Sequence, residues 1–304
     1  MQPMPWLQQS VLTTLVRLLS HLPLDVLQKI GSASGRIVAS IAPGYRRHLI
    51  ANLEQAGYAT ANDPALIGRA AGEAGKGALE LAYVWMRPQA EVLALTRATG
   101  WAVVEAARRE GRGIVFLTSH LGCFEVTAQF IANNREAGEP LTVLYRRPRK
   151  SWLAPLIEGS RPRENLTLAP ADLSGVRRLA RALKRGEAIG MLPDQVPSRG
   201  EGVWAHFFGK PAYTMTLPAR LQKLTGAALL LAHGERLADG QGWAVHFSRL
   251  DEALSDDPVT AATQINAALE TLIRSNPEQY LWGYNRYKKP RSADAPPPTS
   301  DTSS

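Results

Sequence analysis

The sequence predicts an α/β protein with a mainly parallel central sheet flanked by helices in αβα layers, and with additional helices at the N-terminus. The evidence is an alternation of short apolar runs with segments of helical periodicity. The apolar runs predict buried strands at 114–117, 141–145, 166–168, 188–192 and 227–232. Helices are expected at 65–87, 100–109, from 124 onward, and near 152–158, 175–185 and 217–224. Such alternation is typical of parallel sheets covered on both faces.

Composition narrows the functional classes. The 304 residues suffice for one substantial core, and 45% of them are hydrophobic. A net charge of +8 and a pI near 9.8 indicate an anionic partner, such as a membrane surface, a phosphorylated substrate, an acidic protein or nucleic acid. The only cysteine, Cys123, excludes a disulfide framework and a cysteine-rich zinc site, in keeping with a reducing compartment.

The N-terminal 45 residues are apolar but interrupted. Residues 1–16 carry no charge, yet Arg17 and Asp25 break the run before it reaches the length of about 18 apolar residues that a membrane span needs. Leu12, Leu15 and Leu19 share one helical face, which fits either an interfacial membrane helix or a helix that packs on the protein's own core. We therefore expect N-terminal helices at 1–45, one α/β domain at 46–291 and a disordered Pro/Ser-rich tail at 292–304.

The most informative motif lies at the end of the predicted strand 114–117. His120 follows this strand, Gly122 makes a turn, and Glu125 opens the next helix. A histidine can accept a proton at neutral pH, and a nearby carboxylate can fix its tautomer. Spacing alone is weak evidence, because His246 and Asp251 have the same spacing within a strand-like run that we interpret as structural.

Other chemistry-bearing residues are expected at the same rim of the sheet. Arg146 and Arg147 open a basic run directly after the strand 141–145, and Asp194 follows the strand 188–192. In parallel sheets, ligands bind beyond the carboxyl ends of the strands, so these side chains are expected to line one crevice. A surface charge run and a turn aspartate are the ordinary alternatives. Aromatic residues at 204–213 suggest a loop that either walls an apolar pocket or caps the core.

Several common active sites are missing from the sequence. It contains no G-x-S-x-G elbow, no H-E-x-x-H zinc motif, no Walker loop and no G-x-G-x-x-G. We therefore expect no metal and no cofactor, and we expect Cys123 to be a small core residue. A base without a protein nucleophile points to group transfer from an activated donor to the substrate's own hydroxyl or amine. Nucleic-acid binding is not expected, because the basic residues lack interleaved aromatics or a recognised motif.

Five motifs in order, SHLGCFE, YRR, LPDQ, FFGKPAYT and PEQYLWGYNRYK, resemble the lipid A late acyltransferases of the lysophospholipid acyltransferase superfamily. The resemblance runs from about Leu22 to Lys288. It implies that a fatty acyl chain passes from acyl carrier protein to a hydroxyl of a phosphorylated glycolipid. The reaction would take place at the cytoplasmic face of the bacterial inner membrane, with the enzyme attached peripherally or by an N-terminal anchor.

The resemblance also implies roles for individual residues. His120 would be the general base and Glu125 its orienting carboxylate. Arg146, Arg147, Asp194 and Arg286 would bind substrate, and the basic runs 146–150 and 161–163 would bind a phosphate or dock the acidic carrier protein. Because Tyr284 and Asn285 replace the family's usual basic pair before Arg286, other acceptors stay open: an amino-acid lipid or a lysophospholipid. Outside enzymes, the same charge pattern fits a non-catalytic protein that binds anionic lipids.

Overall fold

The computed structural model describes residues 5–134, 140–148, 154–160, 165–197, 201–291 and 293–297. Its helices are α1 Pro5–Ser20, α2 Leu24–Ile41, α3 Pro43–Gln55, α4 Pro64–Met86, α5 Gln89–Ala94, α6 Trp101–Arg109, α7 Phe124–Asn133, α8 Ala154–Ser160, α9 Leu173–Lys184, α10 Leu217–Thr225 and α11 Pro258–Ser275. Its strands are β1 Thr96–Thr99, β2 Ile114–Leu117, β3 Leu141–Tyr145, β4 Leu166–Pro170, β5 Ala188–Met191, β6 Gly202–Phe207, β7 Lys210–Met215, β8 Ala228–Arg236 and β9 Trp243–Arg249.

The central sheet has the order β1-β9-β8-β2-β5-β3-β4, so β2 lies in its middle. All neighbouring strands are parallel except β8 and β9, which are antiparallel. The predicted mainly parallel α/β architecture is thereby confirmed. The bounds of β2 and β3 agree with the apolar runs in the sequence, because a strand buried on both faces is a continuous apolar segment.

Hydrophobic cores lie on both faces of the sheet. Along β2, Val115 and Leu117 pack into one core with residues of α3, α9, α10 and α11. Ile114 and Phe116 pack into the other core with residues of α2, α6 and α7. Successive side chains of a strand point to opposite faces, so a fully apolar β2 needs helices on both sides. The layers that the sequence predicted are therefore present.

The N-terminal helices pack against the remainder of the fold. Helix α2 lies against α4 through glycines, and a Cβ atom on Gly35 would come within 2.0 Å of the Ala71 carbonyl oxygen. The boundary predicted at residue 45 falls inside α3. On α1, Leu19 is partly buried against the core, whereas Leu15 is 50% and Leu18 is 64% exposed. No helix in the described ranges combines the length and apolarity that crossing a bilayer requires.

The aromatic loop predicted at 204–213 is instead an antiparallel hairpin formed by β6 and β7. Phe208 and Gly209 form its two-residue turn with φ angles of 48° and 73°, as in the type I′ turns that suit hairpins. Phe207 and Phe208 are buried in the core beside α11. The loop prediction was wrong because Gly209 marks a tight turn between two strands, and the aromatic rings cap the core.

Two other sequence predictions fall where the structure is not described. Residues 149–150 of the first basic run and 161–163 of the second lie outside the described ranges. The same holds for residues 292 and 298–304 of the predicted disordered tail.

Candidate active site

The ends of β2 and β5 bring together two residues that are 74 positions apart in sequence. Leu117 and Met191 are paired at the ends of these parallel strands. His120 and Asp194 each lie three residues beyond that pair, so the strand register places them side by side. The following turn passes close to β8, where a Cβ atom on Gly122 would come within 1.9 Å of the Gly234 carbonyl oxygen. Gly122 also has a positive φ of 58°, which glycine adopts without strain.

Asp194 binds His120 at two points. The backbone N–H of His120 donates to Asp194 Oδ2 at 2.8 Å, and ring atom Nδ1 lies 2.9 Å from Oδ1 and 3.1 Å from Oδ2. Because a carboxylate accepts hydrogen bonds, Nδ1 carries the proton, and Nε2 is left as an acceptor. The side-chain amide of Gln195 lies 3.2 Å from Nε2 and can donate to it. The imidazole is therefore held in the tautomer that a general base needs.

Asp194 is an ionised carboxylate in a buried position. Its side chain is 1% exposed, whereas that of His120 is 20% exposed. Burial raises the pKa of Asp194, but the electrostatic attraction of His120, its side-chain and backbone hydrogen bonds, and the charge of Arg286 outweigh burial and hold the pKa below the ordinary value. Burial, followed by the negative charge of Asp194, raises the pKa of the nearby Tyr280 phenol. The imidazole of His120 therefore faces a buried carboxylate that is ionised.

Asp194 makes a contact with His120 Nδ1 of the kind that the sequence assigned to Glu125. Glu125 lies in the first turn of α7, is 8% exposed, and lines an inner cavity. Four positions along the chain separate it from His120, but the turn at Gly122 and the start of α7 intervene. The neighbouring strand β5 instead brings the Asp194 carboxylate to Nδ1. The membership of Glu125 in the site stays a prediction.

Arg286 was expected to bind substrate, and the structure places it in a buried position within the fold. The guanidinium is 2% exposed, and it donates to the Tyr213 carbonyl oxygen at 2.8 Å and to Thr214 Oγ1 at 2.7 Å. It also lies over the Phe207 ring, with the guanidinium carbon 5.0 Å from the ring centroid. From this buried position its charge acts on Asp194. The sequence could not reveal this, because a basic residue next to a polar C-terminal segment looks exposed.

His120 forms part of the wall of a pocket of about 440 Å³. Arg146 and Arg147 line the same pocket, as expected from their position after β3. Arg147 forms an ion pair with Glu158 at 2.9 Å, whereas Arg146 makes no ion pair within the described ranges. The structure therefore brings His120, Arg146 and Arg147 to one crevice, with Asp194 buried directly behind the imidazole.

A second, smaller cavity of about 70 Å³ lies deeper, beneath α7, and its lining is mostly apolar. The two cavities share Phe124, Leu144, Tyr145 and Leu192 in their walls. These four side chains thus separate an open, partly cationic pocket from an inner apolar space. An apolar chain that entered from the His120 side would meet this boundary first.

The second histidine and carboxylate pair in the sequence, His246 and Asp251, lies away from the His120 pocket. His246 Nε2 lies 2.8 Å from the carboxylate of Glu235, and its ring stacks on His233 with a centroid distance of 4.8 Å. His233 is 5% exposed; burial, and then the proximity of His246, lower its pKa to about 4. His233 lies on β8 and His246 lies on β9, and neither histidine lines the His120 pocket.

Two residues at the site were not singled out from the sequence. Gln195 directly follows Asp194, and this position beside a strand-end carboxylate was the only local indication that Gln195 belongs to the site. Tyr280 comes from the C-terminal segment, where it forms a bridge with Leu121, and the next residue, Leu281, donates its N–H to the His120 carbonyl oxygen at 3.0 Å. No local pattern indicates this contact, because it joins segments far apart in the chain.

The sequence matches the family described as bacterial lipid A biosynthesis acyltransferase over residues 2–289. The chain belongs to this family. It is 27% identical to a lipid A biosynthesis palmitoleoyltransferase of Escherichia coli strain K12 over 215 residues, which are 70% of this chain and 68% of the relative. It is also 27% identical to a lauroyltransferase of lipid A biosynthesis from the same organism over 221 residues, 70% of this chain and 69% of that relative.

A lipid A biosynthesis acyltransferase of Haemophilus influenzae is 26% identical over 184 residues, which are 59% of this chain and 55% of that protein. The resemblance seen in the sequence motifs is thereby confirmed. The protein is an acyltransferase enzyme, and the His120 pocket is its candidate active site.

Proposed function

We propose that this enzyme transfers a fatty acyl chain from an acyl carrier protein thioester to a hydroxyl group of a lipid A precursor. The observation that carries the proposal is the buried Asp194 carboxylate on Nδ1 of His120, whose Nε2 faces a pocket containing Arg146. Family membership and the names of the relatives support acyl transfer in lipid A biosynthesis, and the carrier-linked donor is part of the proposal. An activated thioester needs a base for the attacking hydroxyl and needs no cofactor, which agrees with the residues at this site.

The proposed reaction begins when the acceptor hydroxyl replaces the Gln195 amide at His120 Nε2. The imidazole takes the hydroxyl proton while the oxygen attacks the thioester carbonyl carbon. The C–O bond forms, the C–S bond breaks, and the imidazolium returns its proton to the departing thiolate. Asp194 stabilises the imidazolium and holds its orientation. Arg146 is placed to bind a phosphate of the acceptor or the developing oxyanion.

The apolar surfaces of the site suit the acyl chain. We infer that the chain lies along Leu144 and Leu192 and that its end approaches the inner cavity beneath α7. Burial of each methylene group contributes about 0.8 kcal/mol, so an apolar channel discriminates between chain lengths. The cationic mouth of the pocket therefore suits the phosphate of the acceptor, and its apolar interior suits the acyl chain of the donor.

A membrane-bound acceptor requires contact with the bilayer, and the N-terminal helices offer a surface for it. Ile30, Ile37 and Ile41 form an exposed aliphatic stripe along α2, with exposed fractions of 42%, 57% and 72%. Leu15 and Leu18 of α1 are also exposed. We propose that this apolar surface holds the enzyme peripherally at the cytoplasmic face of the inner membrane.

The test is acyl transfer by the purified protein. We would supply acyl carrier protein thioesters and an under-acylated lipid A precursor, and detect the product by mass spectrometry. His120→Ala should lower the rate about 10²- to 10⁴-fold. His246→Ala is the matched control, because it removes a histidine of the same fold from a structural position, and it should retain activity.

Acceptor choice is tested in the same assay with an amino-acid lipid and a lysophospholipid beside the lipid A precursor. Preference for either of these would replace the proposed acceptor while leaving the chemistry intact. Full activity in His120→Ala would refute the proposed mechanism.

A further inference from the structure

Helix α9 presents a dense row of positive charge to solvent. Arg177, Arg178, Arg181 and Lys184 are all exposed, and none of them forms an ion pair within the described part of the chain. The next basic residue, Arg185, is neutralised by Glu187 at 2.6 Å. Like charges without an ion-pair partner on one helix repel each other, which disfavours such a row in the absence of a partner. We call the four unpaired residues the α9 basic stripe.

The α9 basic stripe begins at the His120 pocket. Asp172 caps α9 by accepting hydrogen bonds from the N–H groups of Ser174 and Gly175, which fixes the start of the helix at the rim of the sheet. Leu173 and Val176, in the first turn of α9, line the pocket. With a rise of about 1.5 Å per residue, the face from Leu173 to Lys184 runs about 16 Å away from the pocket mouth.

The adjacent helix α10 extends the positive surface at the mouth. Arg220 is exposed, lines the same pocket and makes no ion pair in the described ranges. Helices α9 and α10 contact each other, so Arg220 lies beside the start of the stripe. A partner that binds here therefore stands against the pocket opening.

We propose that the α9 basic stripe docks the acidic protein that carries the acyl donor; this inference rests on the proposed function. Charge complementarity selects an acidic partner, and the position of the stripe places a thioester carried on a flexible arm at the mouth of the pocket. The carrier binds along the flank of α9 while the thioester reaches His120. Such surfaces act mainly on association rate and salt dependence.

A membrane is the competing occupant, and the structure favours the protein. A helix that lies on a bilayer buries a broad apolar face, but on α9 the described exposed aliphatic side chain is Leu173 alone. The exposed aliphatic stripe belongs to α2, which packs on α4 and the turn after β8. Helix α9 packs on β3, β4 and β5, in the other half of the sheet. The two surfaces are therefore separate.

The experiment uses the double charge reversal R177E/R181E. Its matched control is R97E/R109E, which reverses two exposed arginines on β1 and α6, at the opposite edge of the sheet and without ion pairs in the described ranges. Both variants and the wild type are assayed with an acyl carrier protein thioester and with a small acyl-pantetheine thioester. Direct binding of the holo carrier protein is measured by fluorescence anisotropy at two salt concentrations.

We expect R177E/R181E to lower kcat/KM for the carrier-linked donor about 10- to 100-fold and to weaken carrier binding similarly, with weaker salt dependence. Activity with the small donor should be unchanged, and the control should match the wild type in every assay. An unchanged carrier affinity in R177E/R181E overturns the proposal, as does an equal loss with both donors. Loss of binding to phosphatidylglycerol vesicles without loss of carrier binding would assign the stripe to lipid instead.

The assay separates this inference from the proposed function. A wild-type enzyme that is inactive with every donor contradicts acyl transfer, and carrier binding still tests the stripe by itself. If the enzyme is active but R177E/R181E leaves its affinity for the carrier unchanged, only the proposed docking surface is contradicted.

Discussion

Replacement of Asp194 by asparagine removes one charge from the site at nearly constant volume. The carboxylate now accepts hydrogen bonds from the His120 backbone N–H and from Nδ1. An asparagine amide can donate to Nδ1, which moves the ring proton to Nε2 and blocks proton acceptance there. We expect Asp194→Asn to lower kcat about 10²- to 10⁴-fold, which is about 2.7–5.4 kcal/mol of barrier at about 1.36 kcal/mol per tenfold change.

The same substitution should lower stability. Arg286 is 2% exposed and its charge lowers the pKa of Asp194, so the substitution removes a favourable electrostatic interaction between two buried groups. The folded-state pKa of Asp194 is lowered, so its contribution to stability is present above the unfolded value and is lost as the pH falls through the lower folded value. Urea unfolding at pH 7.5 should therefore show a lower midpoint for Asp194→Asn than for the wild type.

The effects of Asp194→Asn on catalysis and on stability are measured separately. Single-turnover rates are measured without urea, and the folded fraction of the same sample is measured in parallel. His120 and Asp194 act as one unit in this mechanism, so the double variant should lose no more activity than His120→Ala alone. If the loss in the double variant equals the product of the two single losses, the two residues act independently and the proposed coupling is contradicted. An Asp194→Asn enzyme within threefold of the wild type would refute the reasoning altogether.

Three further predictions concern other parts of the molecule. Ala128 lines the inner cavity, and Ala128→Leu should fill it and shift preference toward acyl chains shorter by about two carbons, measured by competition between thioesters. Because the pKa of His233 is about 4 in the fold and about 6.5 unfolded, wild-type stability should fall by about 2 kcal/mol from pH 7.5 to pH 5, and urea unfolding of His233→Asn should lack this loss. The paired substitutions Ile37→Ser and Ile41→Ser should weaken binding to anionic vesicles about tenfold or more in sedimentation assays, and unchanged binding would contradict the membrane surface on α2.

The sequence predicted those features that depend on local pattern. Strands β2 and β3 are continuous apolar runs, so their bounds and the position of His120 and Arg146 at the rim followed directly. The rim position of Asp194 was also predicted, but its contact with His120 depends on the pairing of β2 with β5, which no local spacing contains. Spacing therefore favoured Glu125, the nearer carboxylate in sequence.

The sequence also did not reveal which polar side chains are buried. Arg286 is basic and stands just before a polar C-terminal segment, so nothing local indicates burial, but the hairpin of β6 and β7 encloses it and supplies its hydrogen-bond acceptors. The hairpin itself was missed, so the enclosure of Arg286 was missed with it. The missed hairpin thus left the burial of Arg286 unpredicted.

The pairing of β2 with β5 also couples activity to correct formation of the central sheet. A slip by one residue displaces a strand by about 3.3 Å and turns its side chains to the opposite face. Since His120 and Asp194 depend on Leu117 being paired with Met191, such a slip would separate the base from its carboxylate. If the proposed mechanism holds, chains that have collapsed without the native register cannot catalyse acyl transfer, and activity should appear only after the middle of the sheet has formed correctly.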